Sequence, residues 1–457
     1  MSSDSQVLGV VLLVRHGDRQ GFYQNPDTYT ASSTAITPLG NQQEYQLGQL
    51  LRSVYINESS ASHIQGISTG LFTQSQVSVS ADAGGEGGVI VDSANSLVQG
   101  LFPASTSYNT TLANGTTIVG PLNGYQYVPI QTVEPDEDVS LEGWTDCNTF
   151  NDATEAFYNS SVFQEKQKEA ASFLSQLPQY LDGRSVALTN MWNIFDFMNV
   201  NSIHNATFAA NLPPTFLAQA RALANFHEYG VFSSPQMDGI GNVAGRTMLP
   251  GIISGMQDIA NSTNPTKLVY TAIAYKPFLS LFNMTNVAQT YPELASIVDY
   301  ASAVALEVRQ PTGGGEPVVR LNLRNGTENA DFVTYNMLGR NGDVSMQTFI
   351  DTMAPAAINT TEQWCNACSN QVDRGCAAYF TTFASASSRQ RITPVGAGFL
   401  GAGLTGAVTL VMFGVLMWVG VLAFGKRVRR EGNGAVRPVL SHGSERSAGE
   451  TGSVEKV

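Results

Sequence analysis

Residues 10–21 read VVLLVRHGDRQG. Apolar residues 10–14 run straight into two guanidiniums, an imidazole and a carboxylate, all between Arg15 and Arg19. An unbroken Val/Leu run suits a strand covered on both faces, because both sets of alternating side chains must leave water. The loop that follows such a strand is where open α/β sheets bind ligands. The residue types there point to phosphate. His16 can attack phosphorus and form a phosphohistidine, and Arg15 and Arg19 can pair with phosphoryl oxygens and neutralise their charge. On its own the triplet Arg15-His16-Gly17 reads more readily as surface charge around a hydrogen-bonded loop histidine, with Arg19 a second surface arginine, so the rest of the chain must decide.

Working outward, Thr37-Pro38-Leu39 has the form of a helix start with proline in the first turn, and Leu47, Leu50 and Leu51 continue the helical spacing. Residues 76–80 read as a second strand leading into the Gly-rich ADAGGEGG, after which VDSANSLVQGLF resumes a helical pattern. Residues 104–150 are loop-rich, with a strand-like piece at 127–133, and residues 152–260 are mainly helical in pattern. KLVYTA, residues 267–272, is another buried-strand pattern; helix-like PFLSLFNM follows, and PVVRLNLR alternates as a strand does. Strands interleaved with helices predict an α/β domain with a helical insertion or second lobe at roughly 150–260.

The chain has 457 residues and a net charge of −13. Beyond residue 425, seven Lys/Arg face four Glu, which leaves −16 on the remainder. An acidic body of this kind is a poor partner for nucleic acid. Residues 395–425, VGAGFLGAGLTGAVTLVMFGVLMWVGVLAFG, contain no charge and exceed the ~20 residues a membrane helix needs. KRVRR follows at once, which predicts a cytosolic tail at 426–457, polar and disordered, and an ectodomain at 1–390 outside the cell or in a secretory or vacuolar lumen. The opening MSSDSQ has no basic leader region, and the expectation is that a signal segment precedes the sequence given.

Four cysteines, Cys147, Cys365, Cys368 and Cys376, suit two disulfides of undetermined pairing better than zinc, because no second CxxC or His pair accompanies the cluster. No metal site or cofactor is expected. Sequons at Asn57, Asn109, Asn114, Asn159, Asn205, Asn261, Asn283, Asn325 and Asn359 all fall on the expected lumenal side and are candidate glycosylation sites.

VRHGDR with ITPLGNQQEYQLGQLLRSVY resembles the first motif of the histidine acid phosphatases and the helix after it. DSANSLVQGLFP, YVPIQTVEPDED, NMWNIFDFMNVNSIHN, DYASAVALEV and VVRLNLRNGT resemble further family segments in the family's order, over roughly residues 7–380. The resemblance implies a phosphoglycerate-mutase-like α/β sandwich with a smaller helical lobe, and metal-free hydrolysis of phosphomonoesters at acidic pH. It also implies that His16 matches the nucleophile and Arg15 and Arg19 the phosphate-binding arginines.

The correspondence then breaks. The family's third arginine falls on Val89, and no Lys or Arg occurs between Arg52 and Lys166. The family's His followed by Asp or Glu falls on Ile273 and Ala274, and no histidine occurs between His227 and His442. One lost charge-stabilising donor costs ~10²–10³ in rate, and a lost general acid ~10²–10⁴. Tyr275 and Lys276 are the nearest substitutes for the proton donor, although Lys276-Pro277 has the form of a helix start. Glu86 would repel a phosphate if it pointed inward. His227-Glu228 follows FLAQARALANF and reads as part of a helix, His204 as a structural corner, and His63 as a loop residue. Two functions remain. The missing residues favour a membrane-tethered ectodomain that binds an anion or phosphomonoester with little or no catalysis. The alternative is an active acid phosphatase, acting on phosphomonoesters or a phytate-like substrate through a phosphohistidine, with an unusual proton donor.

Overall fold

The computed structural model describes residues 5–26, 34–84 and 88–380. The anchor predicted at 395–425, the tail beyond it and Glu86 lie outside these; among the described residues no helix is long and apolar enough to cross a membrane. The described residues form ten strands: β1 (Ser5–Arg15), β2 (Val77–Asp82), β3 (Asn109–Thr111), β4 (Thr117–Val119), β5 (Gln131–Val133), β6 (Leu268–Ile273), β7 (Ala303–Pro311), β8 (Val318–Arg324), β9 (Val333–Tyr335) and β10 (Val344–Ser345).

The main sheet runs β10-β8-β7-β1-β6-β2-β5, with β9 also on β8. β1, β6, β2 and β5 are parallel, and β7, β8, β9 and β10 extend the sheet antiparallel. The β1 sequence explains its central place. Val10, Leu12 and Val14 pack into one core, and Val11 and Leu13 into the other. Each fully buried side chain of this size contributes ~1.5–3 kcal/mol. The first core is covered by the helices Pro38–Leu51 and Val89–Leu101, and the second by Val243–Ala260 and Lys276–Met284.

Between β5 and β6 the chain is helical, including Asn148–Tyr158, Ser161–Leu174, Met191–His204 and Phe216–Val231, and it carries a core of its own around Phe163, Leu177, Met191 and Met198. The strand expected at 127–133 is shorter. Only Gln131–Val133 pairs with β2, and Tyr127 is 61% exposed, so nothing selects strand geometry ahead of Gln131. The cysteines form Cys147–Cys368 and Cys365–Cys376, and they pack with Trp364 and Phe150 in a fourth core. Among the described residues there is no His/Cys/Asp/Glu group able to hold a metal.

Eight of the nine sequon asparagines are at least partly accessible, but Asn283 is a correction. It is only 9% exposed, it lies inside the helix Lys276–Met284, and its amide donates to the Tyr229 hydroxyl at 3.2 Å. A glycan there is incompatible with the fold.

Candidate functional site: the end of β1

β1 delivers Arg15 to the C-terminal end of the parallel strands, beside the end of β6. The next residues are held by backbone. His16 N–H donates to the Ile273 carbonyl at 3.3 Å, Ala301 N–H donates to the His16 carbonyl at 3.1 Å, and Arg15 N–H donates to the Ser302 carbonyl at 2.9 Å. Gly17 N–H donates to Ser93 Oγ at 3.1 Å, one turn into the helix that begins at Val89. Gly17 and Gly40 are needed for close approach: a Cβ on Gly17 would meet the Gly40 carbonyl oxygen at 2.5 Å, and one on Gly40 would meet the Asp18 carbonyl oxygen at 2.1 Å. Thr37 caps its helix by accepting from Gly40 N–H at 3.1 Å, and its hydroxyl donates to the Asp18 carboxylate. The His204 ring Nε2 lies 2.7 Å from the same carboxylate oxygen. The histidine read as a corner thus braces the motif loop through Asp18.

His16 (1%), Arg15 (7%) and Arg19 (3%) are buried. His16 Nδ1 lies 2.8 Å from the Gly17 carbonyl, which fixes the ring's orientation. The Arg15 guanidinium donates to the Val298 carbonyl and lies 4.4 Å from the Tyr300 ring centroid and 5.1 Å from that of Tyr275. The Arg19 guanidinium forms a 2.9 Å ion pair with Asp196 and lies 5.4 Å from the Phe22 ring. The other Asp196 oxygen accepts from Phe22 N–H at 2.9 Å. Burial pushes the Tyr300 hydroxyl up to about 12, against the opposing pull of Arg19 and Arg15. A cavity of about 50 Å³ is lined by Arg15, Arg19, Arg221, Lys276, Asp196 and Asp299 together with aromatic rings. Four cations face two carboxylates, so the space favours an anion, yet both carboxylates are already paired with arginines of the same pocket.

Val89 (1%), Ile273 (0%) and Ala274 (5%) are buried beside this loop. Lys276 opens the next helix, as its proline neighbour predicts, and its ammonium sits 4.9 Å from the Trp144 ring. Tyr275 lines the cavity and donates to Glu228 Oε2 at 2.7 Å. Glu228 Oε1 lies 2.7 Å from His227 Nδ1, whose Nε2 is 2.8 Å from the Tyr158 hydroxyl. Burial, and then Glu228, pushes Tyr275 well above the usual tyrosine range. His227-Glu228 is helical, as its pattern predicts, but it belongs to a polar chain that reaches the cavity. His63 stands apart, in the turn before Ile64, where it donates through its backbone to Ser60. Sequence reading missed Asp196 and Tyr300. The only signal for them was that both sit in segments already matched to family segments.

Residues 20–324 match the family model of the histidine phosphatase superfamily (branch 2), beginning one residue after Arg19. The chain belongs to this family. Prostatic acid phosphatase from Bos taurus is 25% identical over 272 residues, which is 57% of this chain and 64% of the relative. The human prostatic acid phosphatase is 22% identical over the same shares of each chain. The chain therefore spans just under two thirds of these curated relatives. Among solved structures, a Klebsiella phytase superposes with a TM-score of 0.54 at 14% identity, covering 78% of this chain and 97% of that one. A Hafnia alvei phytase in complex with tartrate gives 0.55 at 13%, covering 80% and 99%. At these identities the structures share the fold of this branch-2 histidine phosphatase. The mixed sheet with a helical lobe agrees with the architecture implied by the resemblance.

Proposed function

We propose that this branch-2 histidine phosphatase keeps the anion-binding half of the family's site and has lost most or all phosphomonoesterase activity. One observation carries the reading. The backbone of His16 is fastened to the end of β6, where the family's acid would stand, and the side chains there are Ile273 and Ala274. Neither can protonate a leaving group. Val89 leaves the helix start beside Gly17 without a guanidinium. Arg15 and Arg19 still hold positive charge at the pocket, so a phosphate or phosphomonoester is the ligand we assign to it.

We further infer that residues 395–425 anchor the protein, with 1–390 extracellular or lumenal and 426–457 cytosolic. The two disulfides and the accessible sequon asparagines support that side. One observation favours the second reading, an active enzyme: Tyr275, next to Ala274, lines the pocket and its hydroxyl is bonded to a carboxylate, which makes it a candidate to replace the missing acid.

Calorimetric titration of the full chain with inorganic phosphate tests the anion site. Binding should weaken ~10–100-fold in Arg15→Ala, the value of a charge-assisted hydrogen bond or two. Absence of binding by the unmutated protein overturns the reading.

A further inference from the structure

Beside the anion pocket lies a cleft of about 1260 Å³. Phe22, Trp192 and Lys276 line both spaces, so the two adjoin at these residues. Its walls are aromatic. Phe22, Tyr23 and Trp192 form one group, with centroids 4.7 Å and 5.3 Å apart along it. Trp144 and Phe232 form another, perpendicular at 5.8 Å. Among the described residues its lining charge is Glu134, Asp136, Glu137, Glu142 and Glu228 against Lys276 alone.

The acidic segment of this lining, residues 134–145, is fixed in place. The Arg374 guanidinium, 5% exposed, donates to the backbone carbonyls of Pro135, Glu142, Thr145 and Asp138. Its hydrogen bonds go to carbonyls; of the segment's carboxylates, Glu142 accepts from the Thr145 hydroxyl at 3.1 Å, and Glu134, Asp136 and Glu137 are exposed on the cleft. The chain also shows what this environment attracts: its own Lys276 ammonium lies 4.9 Å from the Trp144 centroid and 6.0 Å from that of Phe232. Aromatic faces hold a cation at such distances.

We propose that the cleft receives the cationic organic part of a phosphomonoester whose phosphate sits at Arg15 and Arg19, that is, an amino-alcohol phosphate. This rests on the phosphate reading above. A cation settling over Trp144 displaces the Lys276 ammonium, which lines the anion pocket as well and adds charge to it. Polyphosphorylated alcohols meet five carboxylates in the same cleft and are rejected.

The test is calorimetric titration of the full chain with four probes: inorganic phosphate, choline, phosphocholine and inositol hexakisphosphate. Phosphocholine is expected to bind about tenfold more tightly than phosphate, the fold-change of one cation over a tryptophan face. Choline binds alone, and inositol hexakisphosphate binds more weakly than phosphate. The variant Glu134→Gln/Asp136→Asn/Glu137→Gln, at three exposed positions, should bring the phosphocholine-to-phosphate ratio near one, and Trp144→Ala should do the same. Phosphate binding with no phosphocholine advantage overturns the cleft proposal and leaves the anion site standing. Choline binding without phosphate binding overturns the anion site and, with it, the amino-alcohol phosphate. Binding of neither overturns both.

Discussion

Asp196→Asn is the most informative single change at the site. Asp196 sits between two tasks: one oxygen neutralises Arg19 at 2.9 Å, and the other accepts from Phe22 N–H at 2.9 Å. Asparagine keeps an oxygen for the Phe22 amide and removes the charge. An anion bound by Arg19 would lie ~6 Å from that carboxylate, where two unit charges repel by roughly 3 kcal/mol at an effective dielectric of about 20. The pocket adjoins the open cleft, and water screening brings this to about 1–1.5 kcal/mol, or roughly tenfold in affinity. The same change strips a buried arginine of its counter-ion, which costs ~3 kcal/mol of stability, partly offset because Arg19 retains its bond to the Gln20 carbonyl. The variant should therefore bind inorganic phosphate about tenfold more tightly by calorimetry. It should melt earlier without ligand, and regain more melting temperature than the unmutated protein when phosphate is added, since a ligand that binds only the folded state stabilises it. Unchanged or weaker phosphate binding would refute the reasoning. Asp196 would then be orienting Arg19 for the anion rather than competing with it.

Three further outcomes follow from other parts of the molecule. Glu44 is fully buried, and among the described residues neither carboxylate oxygen has a hydrogen-bond partner; burial raises its pKa well above the usual range, with Arg324 opposing. The folded chain thus keeps a proton that the unfolded chain releases above pH ~4.3. This contribution to stability is fully present below that pH and is lost as pH rises towards the raised folded value. Glu44→Gln should flatten the fall in melting temperature between pH 4 and 7, and an unchanged slope would count against it. Removing Cys147–Cys368, which spans 221 residues, should cost about 5 kcal/mol in the chain-entropy account, against about 3 for Cys365–Cys376 across 11; denaturant midpoints of the paired Cys→Ala variants compare them. Gly40→Ala forces a methyl against the Asp18 carbonyl and should cost ~1–3 kcal/mol, with phosphate binding weakened alongside stability.

The sequence was most legible where the information is local. The apolar run before Arg15 became β1, and Thr37-Pro38 became a side-chain cap with proline in the first turn. His227-Glu228 was correctly placed on a helix, but its meaning was hidden, because its partners Tyr158 and Tyr275 lie 69 and 47 residues away from His227 and Glu228. Asp196 reaches Arg19 across a separation that no periodicity spans, and nothing in the local pattern FDFMN marks it as the counter-ion. Disulfide pairing was open for the same reason. Asn283 shows the converse limit: a short motif carries no information on burial, and the helix that contains it turns the side chain inward. The losses proposed at Val89, Ile273 and Ala274 are legible in the sequence because no Lys or Arg occurs between Arg52 and Lys166 and no His between His227 and His442.

On the function proposed above, the end of β1 binds an anion without turning it over. The most direct measurement is release of p-nitrophenol from p-nitrophenyl phosphate at pH 4–6 by the full chain and by its His16→Ala variant. A missing guanidinium (~10²–10³) and a missing general acid (~10²–10⁴) predict equal, near-zero rates for the two proteins. Turnover that disappears with His16 would contradict the account and assign the proton to another donor, with Tyr275 the first to replace by phenylalanine.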